Sequence, residues 1–279
     1  MLKIDAHQHF WKYDPRHYGW IGAQMGAIKR DFLPADLQKT IAGAGIDGVI
    51  SVQARQALEE TGWLLDLADQ HAFIQAVVGW VPLINAGVER MLEMFASKPK
   101  LRGIRHVLHD EWDEGYMLRE DFNRGVGALH SLGLAYDILI FERHLPQTIQ
   151  FVDKHPNQIF VVNHLAKPRV KQREISPWRE NLRELARRAN VYCKLSGLVT
   201  EADYAVWSTE QLRPYIETVL DAFGPRRTMF GSDWPVCLLA IGYGDWARLV
   251  ADFISELSAS EQERFWSGTA MEAYGLRRD

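Results

Sequence analysis

The feature that most constrains this chain is a His-x-His pair at the end of its first β-prone run. The run Lys3–Phe10 contains both His7 and His9. Because successive side chains of a strand alternate between its two faces, these imidazoles point the same way. Together they can hold one metal ion or polarise one substrate group. Asp5 lies on the same face one pleat earlier, where it either orients an imidazole or remains a hydrogen-bonded core carboxylate.

Eight short β-prone runs recur along the chain, each followed by a segment of helical periodicity. Nearly continuous apolar runs are typical of parallel strands that are covered on both faces. One helical segment, Thr209–Phe223, is ended by Gly224 and Pro225. The β-prone runs begin near Ile4, Ile46, Ile74, Arg102, Leu134, Ile159, Val191 and Arg227.

This alternation, without a linker or a change of composition, predicts the α/β class and a single (β/α)8 TIM barrel. The predicted domain spans residues 1–279, with the active site at the C-terminal ends of the strands. A doubly wound open sheet is the alternative. It is disfavoured because no Gly-rich turn follows the first strand.

Composition excludes several classes of partner. The chain has 279 residues and a formal net charge of -4, without a cluster of Lys and Arg among aromatic residues, so we expect no nucleic-acid partner. No apolar run approaches the ~18 residues of a membrane span, and the first strand leaves no room for a signal peptide. We therefore expect a cytoplasmic protein without a membrane partner. Cys193 and Cys237 are too few for a disulfide framework, and both are interpreted as packing residues.

Two further strand ends carry polar side chains. His164 follows Asn163 at the end of the sixth predicted strand, and Asp233 follows Gly231 and Ser232 at the end of the eighth. In a barrel these positions lie at the same face as His7 and His9, so a catalytic or ligand role is favoured over capping of a turn. Ser232 lacks the Gly-x-Ser-x-Gly elbow of a nucleophilic serine.

These motifs together resemble the amidohydrolase superfamily. More narrowly, the chain is similar to the lactone-hydrolysing amidohydrolase 2 branch, which contains L-fuconolactonases and related sugar lactonases. The similarity runs over the whole chain, and each motif alone is weak. The motifs are DAHQHFW at 5–11, GIRH at 103–106, KLSGL at 194–198, GSDWP at 231–235 and the closing helix GTAMEAYGL at 268–276.

The resemblance implies that the three strand-end histidines line the reacting centre and that Asp233 is the general base. The fifth predicted strand, 134–141, contains no histidine, which argues against a binuclear metal centre. Two alternatives stay open. A single divalent ion, zinc by preference, has four candidate ligands, or catalysis is metal-free with the histidines and Arg105 polarising the carbonyl. The candidate ligands are His7, His9, His164 and Asp233.

The fourth predicted strand offers two further candidates for catalysis, Arg105 and His106. Adjacent residues of one strand face opposite ways, so only one of them points into the barrel unless the strand has already ended. Arg105 would stabilise a developing oxyanion, and His106 would contact the lactone oxygen or a substrate hydroxyl. A polyhydroxylated lactone also needs stacking and hydrogen-bonding partners. The candidates for substrate binding are Trp11, Trp20, His109, Trp112, Lys194 and Trp234.

The predicted function is hydrolysis of a sugar-acid lactone, of the L-fucono-, L-rhamnono- or galactonolactone kind, to the aldonic acid. The second hypothesis is metal-dependent non-oxidative decarboxylation on a related barrel, which calls for the missing strand-5 histidine. The third is a binding protein without turnover, which fits poorly with four intact strand-end polar residues. The expected partner is a small-molecule sugar lactone, and the assembly is a monomer or a homodimer.

Overall fold

Eight parallel strands form the centre of the protein, and each pairs with its neighbours in chain order. The computed structural model describes residues 1–277, so the last two residues of the predicted domain lie outside the described part. The strands are β1 (Ile4–Gln8), β2 (Gly48–Val52), β3 (Ile74–Gly79), β4 (Leu101–Val107), β5 (Ala135–Leu139), β6 (Phe160–Val162), β7 (Val191–Leu195) and β8 (Thr228–Phe230).

The seam between the first and last strands is closed by the segment that follows β8. Gln8 forms a parallel bridge with Trp234. The Asp233 N–H donates to the His7 carbonyl at 2.8 Å, and the His9 N–H donates to the Trp234 carbonyl at 2.7 Å. The predicted (β/α)8 barrel is therefore confirmed, and the open-sheet alternative is wrong.

Helices cover the outside of the barrel, and a continuous apolar layer separates them from the strands. The helix predicted at 209–223 is present with those bounds, and the Ser208 side chain caps its start by accepting from the Gln211 N–H. Within residues 1–277 no helix is long and apolar enough to cross a bilayer. The helices are α1 (Pro34–Ala44), α2 (Leu58–Gln70), α3 (Val88–Ala96), α4 (Glu120–Ser131), α5 (Leu145–Asp153), α6 (Trp178–Leu185), α7 (Thr209–Phe223), α8 (Tyr243–Phe253), α9 (Ala259–Glu263) and α10 (Thr269–Ala273).

The interior of the barrel is apolar at one end and polar at the other. At the N-terminal end, α10 and Tyr274 pack against Ile4, Ala76 and other small apolar side chains of the strands. Further along, the buried side chain of Asp137 accepts a hydrogen bond from the Tyr274 hydroxyl at 2.7 Å. The apolar plug closes the bottom of the barrel, which leaves the polar C-terminal end for the chemistry.

Candidate active site

Four strands bring polar side chains together at the C-terminal end of the barrel. The Asp233 Oδ1 atom lies 3.4 Å from His9 Nε2 and 3.8 Å from the Nε2 atoms of both His7 and His164. Arg105 reaches the same centre from β4, with its Nη1 atom 3.3 Å from His7 Nε2. All five side chains are nearly inaccessible to solvent. Candidates predicted from separate motifs therefore converge around one carboxylate.

The backbone that carries these groups is strained at two of the strand ends. Asp233 has a φ of 58°, and the four successive residues from His164 to Lys167 have φ between 47° and 58°. Left-handed conformations cost a non-glycine residue of order 1–3 kcal/mol each, and they persist where the surrounding structure holds them. Such residues cluster at functional sites, so the strain marks the loops after β6 and β8 as places where side chains are aimed.

Two glycines allow the imidazoles to fit. A Cβ atom on Gly197 would lie 2.7 Å from His164 Cγ and closer still to Nδ1, and Gly197 itself has a φ of 61°. A Cβ atom on Gly231 would lie 2.8 Å from the His7 Cβ atom and 2.9 Å from that of Ser196. The glycines of the KLSGL and GSDWP motifs therefore leave room for the histidine side chains.

Hydrogen bonds on the far side of the rings orient two of the histidines. His9 Nδ1 lies 2.7 Å from the Val52 carbonyl, and His164 Nδ1 lies 2.9 Å from Ser196 Oγ. A carbonyl can only accept, so His9 Nδ1 carries the ring proton and its Nε2 is an acceptor in the neutral ring. This arrangement turns the Nε2 edge of each ring toward Asp233.

Burial fixes the charges of the site near neutral pH. It lowers the pKa of His164 to about 3 and lowers the pKa of His9, so both imidazoles are neutral. Burial alone would raise the pKa of Asp233, but the polar groups around it, His164 first and then His9, outweigh that effect and lower the pKa, so the group is a carboxylate. Burial also lowers the pKa of Arg105 to about 10, which leaves the guanidinium cationic. The centre therefore combines a carboxylate base with one fixed cation.

Arg105 is held by two acceptors that lie just after β2 and β6. Its Nη1 atom donates to Asn163 Oδ1 at 3.2 Å, and Nη2 donates to the backbone carbonyl of Gln53. The Nε–H is buried without a hydrogen-bond partner among the described residues. A preorganised cation with a spare donor suits the stabilisation of negative charge that develops during a reaction.

The centre opens into a cavity of about 300 Å³. Part of its wall is apolar and includes Met25 and Val236. Trp20 and His109, two of the residues predicted to bind substrate, also line the cavity. The His109 ring packs against Phe141 at 4.6 Å between centroids, and its Nδ1 atom is buried without a partner among the described residues. A ring with one apolar face and several hydroxyl groups can be accommodated in such a space.

The prediction that His106 takes part in catalysis is corrected by the structure, because its side chain lies on the outer side of β4. Its ring stacks on Tyr116 at 5.1 Å, and its Nε2 atom lies 2.7 Å from Glu111. The Trp80 indole N–H donates to His106 Nδ1 at 3.2 Å. Because strand residues alternate, the inward position of Arg105 places His106 in the layer between sheet and helices.

Lys194 needs correction as a substrate-binding candidate. Its side chain is fully buried inside the barrel, where Nζ donates to Asp137 Oδ2 at 2.6 Å. Nζ also lies 3.3 Å from His7 Nδ1. Lys194 therefore supports His7 from beneath and does not line the cavity. A buried ammonium requires a partner such as the Asp137 carboxylate, which draws it below the site.

Three of the predicted tryptophans also lie away from the cavity. Trp112 is 93% exposed, so nothing packs it against the opening. Trp11 is fully buried, and its indole N–H donates to the Arg30 carbonyl at 2.9 Å. It contacts Trp20 edge-on at 5.7 Å and supports that wall. Trp234 is buried against Phe32 at 5.1 Å. An indole in a loop is as readily used for packing as for binding, which is why these positions differ from the prediction.

Sequence reasoning missed several polar residues of the cavity wall. Lys167 lies three residues after His164, and Glu201 lies in the loop after β7. Asp110 and Tyr204 also line the cavity. Position in a long loop at the C-terminal face was the available signal, but loop residues have no periodicity that separates inward from outward side chains.

The residues present fit a divalent metal ion. Nitrogen atoms of His7 and His164 and a carboxylate oxygen of Asp233 lie within 4.8 Å of one another, and all three residues are buried. Two imidazoles and one carboxylate are a common catalytic zinc set. The hydrogen bond behind His164 is also the usual support of a metal-ligating histidine. The positive charge of Arg105, whose Nη1 atom lies 3.3 Å from His7 Nε2, would repel a metal cation bound to the same histidine.

Comparison with known proteins agrees with this geometry. A sequence model described as amidohydrolase matches residues 4–276. The chain belongs to the amidohydrolase family. An L-fucono-1,5-lactonase from Burkholderia multivorans is 44% identical over 99% of this chain and 96% of its own length. An L-fucono-1,5-lactonase from Burkholderia ambifaria is 36% identical over 99% of this chain and 97% of its own.

A solved structure of the same family shares the whole fold. The crystal structure of an amidohydrolase from Burkholderia multivorans with bound zinc superposes with a TM-score of 0.96 at 43% identity. The match covers 99% of this chain and 100% of that one. The resemblance to the amidohydrolase family predicted from the sequence motifs is therefore confirmed over the length of the barrel.

Proposed function

We propose that this protein hydrolyses a six-membered sugar-acid lactone of the L-fucono-1,5-lactone kind to the open aldonic acid. The observation that carries the proposal is the buried carboxylate of Asp233, ringed by imidazole nitrogens and facing a cavity that Arg105 also lines. The lactonase relatives at 44% and 36% identity support the same substrate class.

The chemistry follows from the charges of the site. Asp233 takes a proton from water, and the water oxygen attacks the lactone carbonyl carbon. The carbonyl oxygen becomes an oxyanion, which the Arg105 guanidinium stabilises. Collapse of the tetrahedral intermediate breaks the bond to the ring oxygen. That oxygen leaves as an alkoxide and takes the proton back from Asp233, so the product is a hydroxy acid.

A bound metal ion would be held by His7, His164 and Asp233, and we retain His9 as a fourth candidate ligand. Its chemical contribution would be Lewis-acid polarisation of the carbonyl. Arg105 remains the fixed cation at the carbonyl in either case. Without an ion, the neutral histidines accept hydrogen bonds and orient the water, whereas nitrogen atoms that bound an ion would no longer be free to accept.

Decarboxylation is less well supported by these residues. Strand β5 carries Asp137 in place of a histidine, and both oxygens of that carboxylate are engaged by Lys194 and Tyr274. A fuller metal set at that strand is therefore not available, whereas lactone opening needs only the base, the cation and water.

The decisive test is replacement of Asp233 by Asn, with acid release from L-fucono-1,5-lactone as the measurement. Asn keeps the volume of the side chain but cannot accept a proton, so we expect kcat to fall about 10²- to 10⁴-fold. An unchanged thermal midpoint controls for folding. Full activity in the variant would contradict the proposed role of Asp233.

A second measurement compares turnover before and after chelation. If turnover survives removal of metal, the side chains suffice for hydrolysis. If it is lost and returns with zinc, the histidines and Asp233 hold a required ion. Release of carbon dioxide from aromatic acids, without turnover of any sugar lactone, would favour decarboxylation.

A further inference from the structure

One ion pair in the wall of the cavity takes no part in the proposed hydrolysis. Lys167 Nζ lies 2.5 Å from Glu201 Oε1. Their side chains are 20% and 18% exposed, so both are largely shielded from bulk solvent. The pair lines the same 300 Å³ space as Asp233 and His164. It offers a donor and an acceptor side by side within reach of the reacting centre.

The backbone places Lys167 there at a conformational cost. It is the last of the four left-handed residues that begin at His164, and its N–H donates to the His164 carbonyl at 2.7 Å. This turn aims the imidazole of His164 and the ammonium of Lys167 into one cavity. Strained turns of non-glycine residues persist at functional sites. Packing alone would not require a charged side chain at this place.

A neighbouring ion pair on the same loops differs from this one in position. Lys171 and Asp203 form a contact of 2.9 Å with side chains that are 62% and 42% exposed. They line an adjoining opening and not the cavity that holds Asp233. Because exposed pairs of this kind contribute little, they provide a matched comparison for the buried pair.

We propose that Lys167 and Glu201 form a subsite for two neighbouring hydroxyl groups of the sugar ring. The Lys167 ammonium donates to one hydroxyl oxygen, and the Glu201 carboxylate accepts from the adjacent hydroxyl. A vicinal diol is itself a donor beside an acceptor, so it matches a fixed ion pair. The subsite rests on the proposed function, in that the ring it recognises is the ring that Asp233 opens.

The test measures selectivity in the variants Lys167→Met and Glu201→Gln. The readout is the ratio of kcat/KM for L-fucono-1,5-lactone to kcat/KM for δ-valerolactone, a six-membered lactone without hydroxyl groups. Loss of one charged hydrogen bond lowers this ratio about 10- to 100-fold. The controls Lys171→Met and Asp203→Asn keep the ratio within about twofold of the wild type.

Binding of L-fucose by calorimetry separates this proposal from the proposed function, because the pyranose carries ring hydroxyls but has no ester to hydrolyse. We expect L-fucose affinity to fall in Lys167→Met and Glu201→Gln and to persist in the two controls. If the wild type opens the sugar lactone while both subsite variants keep its selectivity, the subsite is overturned and the function stands. If no lactone is opened while L-fucose affinity falls only in the subsite variants, the function is overturned and the subsite stands.

Discussion

At the scale of single residues, hydrogen bonds from groups outside the cavity fix the protonation or the position of the side chains in the site. The Val52 carbonyl fixes the proton of His9 on Nδ1, and the Asp137 carboxylate holds Lys194 beneath His7. Asp137 also accepts from the Asn163 amide at 2.8 Å, and Asn163 in turn accepts from Arg105. One buried carboxylate therefore positions both cations near the centre without touching the substrate space.

Arg105 is expected to act through its fork-shaped guanidinium and not through charge alone. In the variant Arg105→Lys, one ammonium replaces donors that reach both the Gln53 carbonyl and Asn163. We expect kcat to fall about 10²- to 10³-fold, the cost of one lost oxyanion donor. The measurement is steady-state turnover with and without added guanidinium chloride at low concentration.

If free guanidinium partly restores the turnover of Arg105→Lys but not that of Asp233→Asn, the activity lost in Arg105→Lys depends on the guanidinium group. Equal turnover of the variant and the wild type would show that a positive charge at position 105 is sufficient and that the fork is not needed.

At the scale of elements, the first residues of the loops after β6 and β7 determine where the His164 ring points. The loop after β7 passes behind His164 at Gly197, a position that combines a left-handed φ with no room for a Cβ atom. The loop after β6 begins with a left-handed turn that includes His164 itself. Neither loop can be changed independently, because each fixes the other through the imidazole.

The variant Gly197→Ala is expected to lose both stability and turnover. The new methyl group would overlap His164, lying 2.7 Å from its Cγ atom, so the ring must move away from Ser196 and Asp233. We expect the free energy of unfolding to fall by about 1–3 kcal/mol and kcat to fall at least about tenfold. Chemical denaturation and turnover are measured on the same preparation.

Gly133→Ala is the matched control for backbone strain. Gly133 has a φ of 65° in the exposed turn after α4, and a Cβ atom added there would meet nothing within 4 Å. This variant carries a similar conformational cost without contact to the site, so we expect about 1 kcal/mol of lost stability and unchanged kcat. Loss of turnover in both variants to the same degree would contradict a local role of Gly197.

At the scale of the whole molecule, the sequence predicted the barrel and the converging residues because both depend on simple periodicities. Parallel strands read as apolar runs, and strand alternation places His7 with His9. Which of Arg105 and His106 points into the barrel depends on the register of β4 with its neighbours, and the alternation of side chains does not determine that register. The cavity wall was the least predictable part, because Lys167 and Glu201 are aimed by loop conformations that leave no repeating pattern.

Closure of the barrel depends on a carboxylate buried at the seam, and this makes stability depend on pH. Asp5 on β1 accepts from the Ser232 hydroxyl at 2.6 Å and from the Tyr243 hydroxyl at 3.0 Å, which joins β1 to the chain after β8. Burial raises its pKa from 3.8 to about 6, despite these hydrogen bonds. The folded state therefore binds this proton more tightly than the unfolded chain does.

The contribution of Asp5 to stability is fully present below pH 3.8 and is lost as the pH rises through about 6. Asn at position 5 does not titrate, so the stability of the wild type relative to Asp5→Asn should fall by about 2 kcal/mol between pH 4 and pH 7. Urea unfolding of both proteins at a series of pH values measures this difference. A difference that stays constant or grows with pH would mean that the seam holds Asp5 as a carboxylate throughout.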